Sequence, residues 1–460
     1  MRASLLFLII VSVLLLVSTP LNAQSTLTFA RVMSAAELSL TGYAVVNPGR
    51  TSANVLFALR AFDGTLINSS VQVVPAGGQV ARLASELFPN AAAGGWVQAA
   101  SASPNLRGFW LGGDFATFAD SAEAAPSAGE LVLPVISTDS EVHFVNPTAA
   151  SQVILIRIVG PEGQDITDPE IRVLPASGSF RSKSNLLFAA ADLSRATHAR
   201  VSCNMCAGSV LLKDYLAAPS MAVANGIGMA SAARQLDFPH VIQGTLSGLT
   251  YSTVVSVTNL TSSAQTLTLT FTSETGAASI PVTRELPAGG TLRETAETMF
   301  SFANSFQSGW IRVIGELPIA GIVVYAELVN RAVAVTPAAT VTATGLFLSH
   351  IADLTPWSTG IAILNPGTAT ALVEIYAINP SGTRIGHAEI AVAAGGKIAR
   401  LLSEYIPETL ARPRDGGFIF LKSSEPVYGL ELFFRRDLKV LSNVPAFGLA
   451  PGEVFTPPPL

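Results

Sequence analysis

The sequence predicts an all-β fold: four tandem immunoglobulin-like β-sandwich repeats behind a signal peptide. Three observations carry that expectation. One motif recurs four times along the 460 residues at nearly fixed offsets, which marks a structural unit copied in tandem. Apolar residues alternate with a period of two in the segments between the motif's turns, as in half-buried strands. Charged residues make up 13% of the chain and hydrophobic ones 49%. That balance suits many short strands joined by Gly, Pro, Ser and Thr turns, and it excludes a disordered chain.

The chain begins with a targeting segment. Arg2 supplies a positive start, and an apolar run from Leu5 to Val17 is short for a membrane span. Pro20 breaks it, and Ala23 offers a small residue for cleavage, so residues 1–23 are expected to be a signal peptide. No later apolar stretch reaches spanning length. The mature chain is therefore expected outside the cytoplasm, secreted or at the cell surface, with no membrane span after signal removal.

The recurring motif sets the domain plan. It reads Asn47-Pro-Gly, Asp63-Gly64 and Pro75-Ala-Gly-Gly78 in the first copy. The second has Asn146-Pro-Thr, Glu162-Gly163 and Pro175-Ala-Ser-Gly178. The third has Asn259-Leu-Thr, Thr275-Gly276 and Pro287-Ala-Gly-Gly290, and the fourth Asn365-Pro-Gly, Ser381-Gly382 and Ala393-Ala-Gly-Gly396. The Asn and the first Gly stand seventeen positions apart in every copy. The expected sandwiches cover 24–125, 126–225, 226–340 and 341–450, with a Pro-rich tail at 451–460 that cannot extend a sheet ladder.

Within each copy the strands can be read in order. A strand runs to the Asn, as in Tyr43-Ala-Val-Val46, and the Asn side chain is placed to accept a backbone N–H two residues on. A hydroxyl residue stands six positions earlier: Thr41, Ser140, Thr253 and Thr359. The next strand alternates most clearly at Leu267, Leu269 and Phe271, with threonines between. It ends near the first Gly, where a tight turn needs positive φ. After the Gly-Gly turn a short strand and one helical turn are expected, the latter at Glu86-Leu-Phe and Glu404-Tyr-Ile. Two closing strands follow, as in Trp310–Val313 and Gly321–Tyr325. Trp96, His198, Trp310 and Phe418 open the first of these, and the tryptophans read as sandwich core. The stretches 118–130, 217–235 and 330–345 are the expected junctions, apolar enough to add edge strands that tie neighbours together.

Cys203 and Cys206, the only two cysteines, are flanked by two apparent strands. A local disulfide across a hairpin end in an oxidising compartment is the expectation. Catalytic thiol or zinc chemistry would need a helix start or two more ligands.

At Phe238-Pro-His-Val, Tyr251-Ser-Thr and Val257-Thr-Asn, and again at Leu348-Ser-His-Ile, Trp357-Ser-Thr-Gly and Leu364-Asn-Pro-Gly, the chain resembles a known group. It is similar to the uncharacterised tandem β-sandwich repeats, immunoglobulin- or fibronectin-like, of proteins exported by soil bacteria. The first two copies lack the aromatic before the hydroxyl. The resemblance implies fold and export and no reaction.

Motifs for chemistry are sparse. There is no Gly-x-Ser-x-Gly elbow and no His-Glu-x-x-His. Gly395-Gly-Lys397 is followed by Ile398 rather than a hydroxyl, so it reads as a structural turn. The five histidines have no ligand spacing, so neither a metal nor another cofactor is expected. Glu162, Asp165, Asp168 and Glu170 form the densest acidic loop, a weak calcium candidate and otherwise a solvated turn. Trp357, Tyr251 and Trp110 are the candidates for an exposed aromatic platform that could stack on a sugar. The net charge of −5 is spread without a basic stripe, which argues against nucleic acid.

These readings converge on a secreted, non-enzymatic structural or adhesive repeat protein of the bacterial cell surface or matrix, shaped as a rod or arc. A surface glycan or a protein is its conceivable partner. Two other readings stay open: a carbohydrate-binding protein using the exposed aromatics, and a hydrolase with an unrecognised site.

Overall fold

The computed structural model describes residues 25–217, 219–302 and 305–459. The expected signal peptide lies outside them. The fold is all-β: antiparallel sheets joined by turns, with helices of no more than five residues. Among the described residues no helix is long and apolar enough to cross a membrane.

The first copy shows how the sequence builds the unit. Its strands are β1 (Ser25–Phe29), β2 (Thr41–Val46), β3 (Ala53–Arg60), β4 (Leu66–Val74), β5 (Gln79–Leu83), β6 (Trp96–Ser101), β7 (Arg107–Gly113) and β8 (Ala119–Glu123). One sheet has the order β1-β6-β3-β4, and its companion has the order β5-β2-β7-β8. Val55, Phe57 and Leu59 alternate inward between them. The remaining sheets use strands within 128–228, 233–337 and 343–448.

The closing strands differ from expectation in copies two to four. There the equivalents of β6 and β7 are one continuous strand: His198–Lys213, Gln307–Glu327 and Phe418–Arg435. Each pairs with one sheet in its first half and the other sheet in its second. The expected break at Glu316-Leu-Pro is a bend inside the strand rather than its end. Sheet-switching strands of this kind bend at bulges. In the first copy Pro104 and the left-handed Asn105 (φ 60°) interrupt the path.

The Asn landmarks act alike throughout. Asn47, Asn146, Asn259 and Asn365 are all buried. Each Oδ1 accepts from the backbone N–H two residues on at 3.0 Å. Each Nδ2 donates to the carbonyl four residues on at 2.7–2.8 Å and to carbonyls that open the Gly-Gly turn. One buried side chain thus pins two loops that lack a ladder partner.

The copies close into a ring instead of forming a rod or arc. The residue after each Gly-Gly turn donates its N–H to the Asp-Gly-type turn of the preceding copy. Ser179 donates to Phe62 (3.0 Å), Thr291 to Pro161 (2.9 Å) and Lys397 to Glu274 (3.0 Å). Gln79, in the first copy, donates to Pro380 of the fourth (2.9 Å) and completes the circle. Head-to-tail contacts form a ring when their rotation closes, and here the rotation closes after four steps.

Glycine makes that approach possible. Gly64, Gly163, Gly276 and Gly382 have φ of 88°, 82°, 89° and 84°. A Cβ on Gly64 would lie 1.9 Å from the Ala176 carbonyl oxygen, and one on Gly163 1.9 Å from that of Ala288. The turn glycine therefore serves both the backbone angle and the seam.

The tail contributes as well. Residues 453–459 form no strand, but Phe455 is buried among Phe347, Phe418 and Phe420, with ring centroids 5.1, 6.1 and 4.7 Å away. Glu453 pairs with Arg107 of the first copy at 2.8 Å. The tail straps the fourth copy to the first.

Candidate functional site

One strand near the end of each copy meets its counterparts at the centre of the ring. Residues 119–123, 221–225, 332–337 and 441–445 touch one another in cyclic order. The first three lie in the stretches expected as junctions with edge strands, and together with 441–445 they form the hub. Strand pairing places Ser121, Val223, Val335 and Asn443 at the same position of their four strands. All four line one cavity of about 240 Å³.

Asp120 ties three copies together beside this cavity. It is fully buried. One carboxylate oxygen accepts from the Ser121 N–H (2.8 Å) and the Ser442 hydroxyl (2.9 Å). The other accepts from the Val223 N–H at 2.7 Å. Burial pushes its carboxyl up to about 8, against the opposing pull of these hydrogen bonds. Ser121 Oγ donates to the Asn443 carbonyl at 2.7 Å.

The cavity wall is mostly apolar, with several oxygen acceptors among its lining residues. Leu236 and Ile322 supply apolar surface, and Glu123, Asn225 and Asn443 supply polar groups. The Asn225 amide donates to the Glu123 carbonyl at 2.9 Å, and the Asn443 amide to the Val335 carbonyl at 3.3 Å. Both Oδ1 atoms are buried without a hydrogen-bond partner. Desolvation raises the Glu123 carboxyl above the usual range, with the Asn225 side chain opposing the shift. No Lys, Arg or His is among the described lining residues. Such a wall can accept hydrogen bonds and neutralise a cation.

The predicted aromatic platform does not assemble. Trp110 is fully buried in the first copy, with the Arg31 guanidinium 5.5 Å from its ring centre. It sits on β7 and packs in the hydrophobic core of the first copy, so it offers no face to a sugar. Tyr251 and Trp357 are half-buried, in different copies, against Phe306 and Phe433 respectively. Trp96 and Trp310 are buried at seams between copies. Their indole N–H groups donate across the seam to Ser177 (2.8 Å) and Gly395 (3.0 Å).

The acidic loop is spread out along arginines. Asp165 lies 3.6 Å from Arg157, and Glu170 lies 2.6 Å from Arg172. Glu162 and Asp168 take part in no ion pair among the described residues. Among the described residues no group of three or more His, Cys, Asp or Glu could hold a metal ion. Cys203 and Cys206 are joined by a disulfide. They lie within the single strand 198–213, where its register shifts between sheets, and not at a hairpin end.

Four histidines occupy seams, each its own. His143 Nδ1 accepts from the Val32 N–H of the first copy at 2.8 Å. His198 Nδ1 is 2.9 Å from the Thr291 hydroxyl of the third. His240 lies against Lys397 of the fourth, and His350 packs between Phe109 and Phe433 at 5.5 and 4.9 Å. Ring closure therefore separates them and brings no two to a common point.

The residues of the hub were not singled out by sequence. The one available signal was a short acidic run without a base, Asp114, Asp120, Glu123 and Glu130, two of which belong to the hub.

No family model matches the chain, and no curated protein does. Among solved structures, one titled Crystal Structure of Thermotoga maritima 1070 is similar to a segment of it. The two are 13% identical with a TM-score of 0.21, over 24% of this chain and 94% of that one. A β-glucuronidase of Bacteroides uniformis is 8% identical with a TM-score of 0.13, over 50% of this chain and 26% of the enzyme. Likenesses of this size carry no functional argument.

Proposed function

We propose that the protein is a secreted, non-enzymatic structural or adhesive protein of the bacterial cell surface or matrix, acting as a closed rigid platform rather than an extended spacer. The observation that carries this reading is the outer face of the first copy. β4 is an edge strand, bonded on one side to β3 and free on the other. Its nine residues, Leu-Ile-Asn-Ser-Ser-Val-Gln-Val-Val, include no charge and no proline. Edge strands are usually blunted by Lys, Pro or bulges, because an open edge templates pairing with another chain.

The side chains add to the edge. Val71 and Val73 are 60% and 62% exposed, and Leu56 on β3 is paired with Val71. The second copy repeats the pattern, with Val153 paired to Val173 and Ile171 two positions away, all exposed. At the place of the Val153–Val173 pair stand Thr266 with Glu285 in the third copy and Leu372, also exposed, with Ala391 in the fourth, where Glu374 and Glu389 follow as a charged pair. Contiguous exposed apolar surface of this kind marks contact sites. The disulfide suits an oxidising compartment.

The test is adhesion of the purified full chain to cell-wall preparations and to itself, with Val71→Lys and Val73→Lys as variants. Both positions are exposed, so the fold should persist. Retention should drop by roughly tenfold or more, the equivalent of about 1.4 kcal/mol. Unchanged retention by the double variant would remove the reading.

A further inference from the structure

The hub cavity has a chemistry that neither adhesion nor folding uses. Its lining presents three kinds of oxygen acceptor: the Glu123 carboxylate and the side-chain carbonyls of Asn225 and Asn443. Each amide donates one N–H to a backbone carbonyl, which orients it and turns its Oδ1 away from that carbonyl. Asn443 is 1% exposed, and its Oδ1 has no partner. A buried acceptor left unpaired costs about 1–3 kcal/mol. Glu123 takes part in no ion pair among the described residues, and no cationic side chain lines the wall. The remaining wall, from Leu236, Ile322 and Val335, is apolar.

An ammonium group supplies what is missing: hydrogen-bond donors without acceptors and one positive charge. A bare metal ion suits the site less, because no group of three metal ligands is found among the described residues and most of the wall is hydrocarbon. The volume, about 240 Å³, falls just below the usual range of roughly 300–1,000 Å³ for drug-sized ligands. That size suits a small amine. We propose that the cavity at the centre of the ring binds a small organic ammonium ion, its charged end on Glu123, Asn225 and Asn443 and its carbon chain against Leu236 and Ile322.

The experiment uses the full chain, with butylammonium chloride as the probe. Butanol and sodium butyrate serve as the neutral and anionic counterparts of similar size, at constant ionic strength. Calorimetric titration and melting are both recorded. Butylammonium should bind and raise the melting temperature as a native-state ligand does, and the counterparts should not. Glu123→Gln keeps the shape and removes the charge, and it should weaken binding at least tenfold. Thr340→Trp narrows the mouth from an exposed position and should weaken it too, without touching the core. Each variant's melting without amine reports whether it folds. No binding by the native chain at about 10 mM, tenfold over a millimolar Kd, overturns the proposal. So does equal binding of butanol, or native-like binding by folded Glu123→Gln.

Discussion

The Lys397 ammonium of the fourth copy donates to the His240 imidazole of the third at 3.1 Å, wholly inside the protein. It also donates to Ser308 Oγ (3.0 Å) and the Gly309 carbonyl (3.1 Å), with Glu274 at 3.5 Å. The other copies place Gln79, Ser179 and Thr291 at this position. Each seam thus has the same backbone bond and a different polar plug. Burial lowers the Lys397 ammonium to about 8, with Glu274 opposing the shift.

Removing that plug should open one seam. Lys397→Ala leaves the Gly309 carbonyl and His240 without their donor in a dry site. A cost of about 3 kcal/mol is expected, as for breaking a buried charge network. Lys397→Met fills the same volume with no charge to desolvate and should cost less. Melting of both variants at neutral pH is the check. Equal losses would mean that the hydrogen bonds, which neither variant restores, and not packing, hold this seam.

Acid should loosen the ring through its histidines. Burial holds His143 and His350 down to about 4 and His198 to about 3, and it lowers His240 well below the ordinary value. Their ordinary value in the unfolded chain is 6.5. Between 6.5 and these lower values the unfolded chain binds more protons than the folded one, so stability is lost as pH falls. A shift of the size given for His350 corresponds to about 3 kcal/mol when complete. Glu37, held to about 2 beside Arg31 and Arg181, acts in the same direction at lower pH. Melting temperature should drop steeply from about pH 6.5 to about pH 4. His350→Phe, placed between two phenylalanines already, should reduce that slope. An unchanged slope would mean that this histidine is protonated in the fold.

The seam glycines give a contrast with an internal control. Gly64→Ala must carry its Cβ 1.9 Å from the Ala176 oxygen, while Gly248→Ala has φ of 82° and nothing within 4 Å. Both substitutions suffer the left-handed backbone, worth about 1 kcal/mol. Only Gly64→Ala must also push two copies apart, and it should cost roughly 3 kcal/mol or more in total. Similar melting temperatures for the two variants would show that the seam yields freely.

Local chemistry explains what the sequence could tell. Asn47 and its counterparts were readable as turn-binders because an Asx turn needs only residues two positions apart. Gly64 was readable as a positive-φ residue for the same reason. That Gly64 docks on Ala176 was not, since no local rule names the surface that a turn will meet. Trp96 and Trp310 were readable as buried, but not as buried between copies. Trp110 was misplaced because Gly108 and Gly112-Gly113 around it suggested a loop, whereas those glycines make room in β7 for its neighbours. The hub escaped notice because Asp120, Asn225 and Asn443 are far apart in the chain and meet only when four strands converge.

Asp120 offers the sharpest test of that convergence. Its carboxyl stands at about 8 in the fold and near 3.9 in an unfolded chain. Between those values the folded protein holds more protons, so this group's contribution falls as pH rises. Lys397 works oppositely, but only between about 8 and 10.5. From about pH 5 to about pH 8, Asp120 should therefore contribute to an alkaline loss at the hub, in the same direction as Glu123, whose carboxyl burial also raises. Asp120→Ala strands the Val223 N–H and the Ser442 hydroxyl, at a cost of about 2 kcal/mol near pH 6. The same variant should lose less stability than the native chain over that pH interval, because the group that titrates is gone. Unfolding curves at the two pH values measure both quantities. A variant as pH-sensitive as the native chain would show that the hub carboxylate is ionised throughout, and that burial does not govern its charge.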